Sequence, residues 1–189
     1  KKPEELASLE IEKLKKNDQI SLDLVLKDPY LLDFLNLRDT YSEKDLEQAI
    51  LNEIEKFILE LGSDFCFIAR QKRITIGNED FYIDLLLYHR ALRRLIAVEL
   101  KMGKFKAADK GQMELYLKWL DKHERKPGEE SPLGIILCTD KNHEQVELLE
   151  LAQNSIHVAE FITQLPNPEV LEKKLHQAIL YAKERLGYK

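Results

Sequence analysis

The sequence predicts a mixed α/β domain. A long helix precedes a three-stranded antiparallel meander, and a crossover helix then brings the chain back as a parallel strand. Three stretches carry this reading. Residues 81–88 and 95–101 are aromatic- and aliphatic-rich arms too short for ordinary helices, joined by the polar loop His89 to Arg94, which is the pattern of a β-hairpin. Leu46, Ile50, Leu51, Ile54, Phe57, Ile58 and Leu61 form one stripe at the helical period. Leu133-Gly134-Ile135-Ile136-Leu137-Cys138 is unbroken and apolar, as in a strand buried on both faces, and the helix before it supplies the crossover that parallel pairing requires.

The 189 residues suit one domain with a short appended segment and suffice for a substantial core. With 44% hydrophobic and 33% charged residues the composition is that of an ordinary globular chain, and the net charge of −5 provides no global basic footprint for nucleic acid. A local basic field at a site is still compatible with that total. Cys66 and Cys138 sit in strand-like apolar runs and read as small buried hydrophobes, so neither a disulfide scaffold nor a zinc site is expected. No apolar run reaches about 18 residues, so no membrane span is expected and the cytoplasm is the expected location. The chain begins with Lys1 rather than Met and is expected to be part of a longer protein.

Residues 1–27 are expected to form an N-terminal helical extension, the remnant of an upstream domain, with Leu6, Leu9, Ile11 and Leu14 among dense Lys and Glu. Residues 28–189 form the main domain. Asp28-Pro29 breaks any preceding helix, and 29–35 is a short apolar segment. Ser42-x-x-Asp45 starts a helix that Gly62 ends after Leu61. On that helix Glu47 lies seven residues before Ile54, about 20° from the middle of the apolar face. A carboxylate aimed at the core is unusual, although a place near the helix N-terminus would satisfy it.

A strand from Asp64 to Thr75 follows, with Phe65, Phe67 and Ala69 on one face and Cys66, Ile68 and Arg70 on the other. The turn at 77–80 leads into the hairpin. Met102-Gly103-Lys104 then leaves the sheet for a helix over about 107–123, on which Gln112 and Tyr116 are i,i+4 neighbours with a polar edge. After the buried strand come a helix over 142–151, a short strand over 156–160 and an amphipathic helix over 168–186. The predicted order is αβββαβαβα. The five histidines show no metal-ligand spacing, and neither a phosphate-cradling glycine loop nor a nucleophile elbow is present.

The hairpin carries charges that need explaining. If Tyr88 faces Leu95, antiparallel counting pairs Leu86 with Ala97 and then Asp84 with Glu99, while Lys101 shares the face of Glu99. Opposed carboxylates destabilise a sheet unless compensated, and a hard divalent cation with oxygen ligands would do so. Two other arrangements stay open: a local salt-bridge cluster of Asp84, Glu99 and Lys101, or a one-residue slip that points the carboxylates apart.

Taken together, Asp45-Leu46-Glu47, Phe57 to Gly62, Arg70-Gln71, Phe81 to Leu85, Glu99-Leu100-Lys101, Gly111-Gln112-Met113 and Tyr116 resemble the C-terminal nuclease domain of the bacterial YhcG-like family of the PD-(D/E)XK superfamily, from about residue 28 onward. Ile83 stands where the superfamily name has Pro. The resemblance implies an αβββαβα restriction-endonuclease-like core, a mixed sheet flanked by helices. It implies a metal-dependent nuclease, a DNA endonuclease in a defence, repair or mobile-element setting. Asp84 and Glu99 would hold Mg²⁺ (or Mn²⁺), with the Leu100 carbonyl as a third ligand. Lys101 would position water or stabilise phosphate charge, and Glu47 would complete the site. Gln112 and Tyr116 would line it, and Gln71 is a weaker candidate on the neighbouring strand.

A basic rim of Arg90, Arg93 and Arg94 in the hairpin loop and Lys104, Lys106 and Lys110 after the motif is expected to contact nucleic acid. A second copy of the chain and an upstream helical domain are the other expected partners. The alternative is a catalytically silent nucleic-acid-binding or oligomerisation module that keeps the nuclease fold.

Overall fold

A computed structural model describes residues 25–151 and 155–164, together with residues 169, 172, 173, 176, 177, 179 and 180, which are helical. The expected helix over residues 1–19 lies outside the described residues, as does most of the expected terminal helix over 168–186. Val25 and Leu26, just ahead of the expected boundary at residue 28, pack against the core.

Strand β1, Tyr30–Leu31, is followed by a 3₁₀ turn, Asp33–Leu35, and by two helices, α1 (Glu43–Asn52) and α2 (Ile54–Leu61). The meander is β2 (Phe65–Ile76), β3 (Glu79–His89) and β4 (Arg94–Lys104). Helix α3 (Ala107–His123) crosses to β5 (Leu133–Asp140), and α4 (His143–Leu148) leads to β6 (Ile156–Ile162). The six strands lie in the order β1-β6-β5-β4-β3-β2. β2, β3 and β4 are antiparallel, whereas β4, β5, β6 and β1 run parallel. The sheet is mixed and has helices on both faces.

Local chemistry accounts for most of these bounds. Ser42 and Asp45 close a reciprocal capping box: the Ser42 side chain accepts from Asp45 N–H, and the Asp45 carboxylate accepts from Ser42 N–H. The single helix expected from Ser42 to Leu61 is two, broken at Glu53 (φ −117°, ψ 33°). Asn52, a poor helix-interior residue, precedes the break and accepts a bond from Gln48. The apolar stripe survives it, because Leu46, Ile50, Phe57 and Leu61 are all fully buried against Leu85, Leu87, Val98 and Leu100. Burying each such side chain contributes about 1.5–3 kcal/mol. The opposite face packs Leu86, Ala97, Ile136 and Cys138 under Met113, Tyr116, Leu117 and Leu120 of α3.

Two expectations about the edge of the sheet are corrected. Cys66 is exposed rather than buried, because β2 is the terminal strand and no layer covers that side chain. The simple alternation along β2 fails at Ile68, which is skipped between the pairs Phe67–Leu87 and Ala69–Leu86. The strand β1 was not expected at all; two residues cannot display a period, and they are fixed by pairing with Phe161 and Ile162 and by the Leu32 N–H bond to Ile162 O at 2.7 Å.

Candidate active site

The hairpin register is the one counted from the sequence, Tyr88 opposite Leu95 and Leu86 opposite Ala97, but the backbone ladder stops at Leu85–Val98. Asp84 and Glu99 come next, and there side chains replace the ladder. Glu99 Oε1 accepts from Asp84 N–H at 3.2 Å, and Asp84 Oδ2 accepts from Leu100 N–H at 2.8 Å. The β2–β3 ladder opens at the same level, since Arg70–Leu85 and Lys72–Ile83 pair while Gln71 and Asp84 do not. Asp84 is therefore flanked by a gap on both sides, and its carboxylate satisfies backbone that the sheet leaves open.

The two carboxylates sit in a poor solvent for charge. Glu99 is only 4% exposed. Burial first, and the neighbouring Asp84 charge next, push its carboxyl up to about 8, against the pull of Lys101. Burial also holds Asp84 above the usual carboxylate range, with the Glu47 charge adding to it and the Leu100 and Gln71 donors opposing it. Lys101 Nζ lies 3.7 Å from Glu99 Oε2. The arrangement thus combines the two local possibilities, an interlocked acidic pair and an ammonium beside it.

Glu47 approaches from α1, half-buried, and meets the pair through Gln71: Gln71 Nε2 donates to Glu47 Oε2 at 2.7 Å and to Asp84 Oδ1 at 3.0 Å. From the other layer Gln112 Nε2 donates to the Tyr116 hydroxyl. Burial raises the Tyr116 pKa, and the Glu99 and Asp84 charges act in the same direction, which places this phenol in their field. Leu100 enters through its backbone, as the donor to Asp84. Among the described residues no group of three His, Cys, Asp or Glu side chains is gathered tightly enough to enclose an ion. The carboxylates come as a pair, with Glu47 one hydrogen-bond relay away. Such a pair still fits a magnesium-like ion, which takes one or two carboxylates and completes its shell with substrate phosphate and water.

The basic rim divides. Lys104 and Lys106 are exposed just beyond the motif. Lys110 is engaged with Glu114 on its own helix at 3.2 Å. The hairpin-turn arginines do not flank the carboxylates, because even His89 at the end of β3, just before Arg90, is five residues from Asp84, about 17 Å at strand rise. Arg93 pairs with Glu130 at 3.2 Å, and Arg94 is half-buried, its Nε without a hydrogen-bond partner among the described residues. Sequence reasoning passed over Glu43, whose carboxylate accepts from Met102 N–H at 2.9 Å and ties the start of α1 to the end of β4. A first-turn acidic residue is so common that nothing in the sequence singles it out.

A mixed sheet with this strand order, carrying Asp and Glu-x-Lys at a shared gap in its central hairpin, defines a nuclease domain of the PD-(D/E)XK class. Residues 23–176 match the family described as "YhcG PDDEXK nuclease domain". Over 158 residues the chain is 42% identical to the Escherichia coli (strain K12) protein named "Putative nuclease YhcG", covering 82% of this chain and 42% of that protein. The chain belongs to the YhcG PDDEXK nuclease family, and it spans about two fifths of the length of this curated relative. Among solved structures it is similar to a repair endonuclease from Pyrococcus abyssi (22% identity, 69% of this chain and 50% of that chain, TM-score 0.46). It is also similar to EndoMS in its dsDNA2 complex (16% identity, 69% and 49%, TM-score 0.48). Among the described residues no helix is long and apolar enough to cross a membrane.

Proposed function

We propose that the domain hydrolyses phosphodiester bonds of DNA as a divalent-metal-dependent endonuclease. The carrying observation is the acidic pair, Glu99 buried and Asp84 half-buried: the two interlock in one gap, and desolvation together with mutual repulsion disfavours their joint ionisation until a cation compensates. Asp84 and Glu99 would hold Mg²⁺ (or Mn²⁺), with the Leu100 carbonyl as a third oxygen. What the ion supplies when bound is Lewis-acid activation of water and neutralisation of charge at the phosphate.

The chain's own residues supply the rest. Lys101, with its ammonium on Glu99 and its side chain 23% exposed, reaches both the pair and solvent, so it orients the attacking water or donates to a phosphate oxygen. Gln112 and Tyr116 set the wall beneath the pair, and Gln112 fixes the phenol as an acceptor whose own proton is free to point at the site. Lys104 and Lys106 offer the phosphate contacts that a chain of net charge −5 lacks globally. The same reading takes a cytoplasmic location, with a second copy of the chain and an upstream helical domain as the partners that would set its specificity.

The test is cleavage of plasmid and labelled oligonucleotide DNA by the 189-residue chain, with Mg²⁺, Mn²⁺ or EDTA. Metal-dependent cleavage that Asp84→Asn and Glu99→Gln abolish is expected. DNA binding without cleavage under every metal condition would instead identify a silent binding module.

A further inference from the structure

Gln71 is marked faintly by the sequence and strongly by the backbone. It lies inside β2 with φ +44°, in the left-handed region that a residue with a side chain adopts at a cost. The neighbouring pairs, Arg70–Leu85 and Lys72–Ile83, remain in register, so the strand continues through the distortion. Its effect is on direction. Ala69 and Ile74, an odd number of residues apart, pack into the same core, as do Leu86 and Ile83 on β3, so facing reverses across the Gln71–Asp84 level. At that reversal the Gln71 carboxamide is aimed between two elements that otherwise belong to different layers. It donates to Glu47 of α1 and to Asp84 of β3 from one nitrogen, at 2.7 and 3.0 Å.

We propose that Gln71 is a positioning residue that couples Glu47 to the acidic pair, so that Glu47 influences the ion site through Gln71 and not by direct contact. This rests on the metal-dependent reading above. A carboxamide suits the place because its two N–H groups satisfy one carboxylate each without adding a charge. Lysine there would put a competing cation beside Asp84, and glutamate would add a third repelling carboxylate. With Leu100 N–H on Oδ2 and Gln71 on Oδ1, both oxygens of Asp84 are held by neutral donors, and the carboxylate is fixed in orientation while its negative charge is kept for an ion.

Calorimetric titration of Mn²⁺ into the 189-residue chain tests this with wild type, Gln71→Met, Gln71→Gly, Glu47→Gln and the Glu47→Gln/Gln71→Met pair. Gln71→Met is expected to weaken Mn²⁺ binding about 10-fold, the low end for losing an outer partner of a metal ligand. Glu47→Gln should cost no more than that, and the double variant should be no worse than Gln71→Met, the non-additivity of a shared path. Gln71→Gly relieves the backbone conformation, so its metal-free melting temperature should equal or exceed that of wild type while its Mn²⁺ affinity falls as in Gln71→Met. That split separates positioning from a purely structural role. Wild-type affinity in Gln71→Met or Gln71→Gly, or losses that multiply in the double variant, would overturn the proposal while leaving the metal-dependent reading intact. Absence of Mn²⁺ binding by the wild type itself would overturn both.

Discussion

Glu99→Gln replaces a buried, hard-to-ionise carboxyl by a neutral group of the same shape, and its effect on stability without metal has a definite sign and size. The native state holds the Glu99 proton until about pH 8, whereas the unfolded chain releases it near 4.5. The native state therefore binds more protons between those values, and its stability falls as pH rises through that window. The slope is about 1.4 kcal/mol per pH unit, so the wild-type chain should lose about 3 kcal/mol by pH 7 and about 5 kcal/mol above pH 8, relative to its stability below pH 4.5. Glutamine cannot ionise and escapes this loss. Its carbonyl can still accept from Asp84 N–H, so the gap in the ladder stays bridged.

The assay is urea unfolding in EDTA from pH 5 to 9, comparing midpoints at constant slope. The two proteins should be nearly equal at pH 5 and should diverge steadily, with Glu99→Gln the more stable above pH 7. Saturating Mg²⁺ should then raise the wild type and leave the variant almost unmoved, since a ligand that binds only the native state stabilises it by mass action. Parallel stability curves from pH 5 to 9 would refute the reasoning, because they would mean that Glu99 ionises in the native state as easily as in the unfolded chain.

Lys101→Met keeps the aliphatic stem and removes the ammonium 3.7 Å from Glu99. Cleavage should drop about 100-fold or more, the usual scale for losing a proton-handling or charge-stabilising group, while Mn²⁺ binding measured by calorimetry is retained; loss of both together would make Lys101 a structural partner of Glu99. Reversing Lys104 and Lys106 to Glu should weaken DNA binding and flatten its dependence on salt, by about 0.9 in logarithmic slope for each phosphate no longer neutralised. An unchanged slope in a fluorescence-anisotropy titration would move the phosphate contacts elsewhere.

What the sequence made legible was whatever repeats with a period. The amphipathic stripe marked the helical stretch before the meander as one helix, alternation and loop length fixed the hairpin register to the residue, and the apolar run at 133–138 marked a strand that is buried on both faces and pairs in parallel with β4. Aperiodic features were not visible. The two-residue β1 has no pattern to read, the break at Glu53 leaves the stripe intact, and Cys66 looks internal until β2 is known to be an edge. Glu47 stood out because it lay on an apolar face where a carboxylate is out of place. Gln71 entered only through the family resemblance, as a weaker candidate, because a glutamine in a strand is unremarkable unless its φ is known.

Several local rules of the fold are broken at one level of the sheet, and the breaks coincide. Between Gln71 and Asp84 the ladder is missing, a residue with a side chain takes a left-handed conformation, and strand facing reverses. Next to it the buried Glu99 carboxylate lies beside the half-buried one of Asp84, which alone would favour separating the strands. Each feature costs stability, and a sequence selected only to fold would spread such costs or avoid them. Here they are flanked by packed core on both sides: Leu85, Leu87, Val98 and Leu100 pack against one helical layer, and Leu86 and Ala97 against the other, all within a few residues of the gap. Stable packing on both faces lets the hairpin hold an opening in its own ladder. The opening is what turns Asp84 and Glu99 from paired strand residues into neighbouring carboxylates joined through backbone N–H groups, with Lys101 and Gln71 already in contact with them.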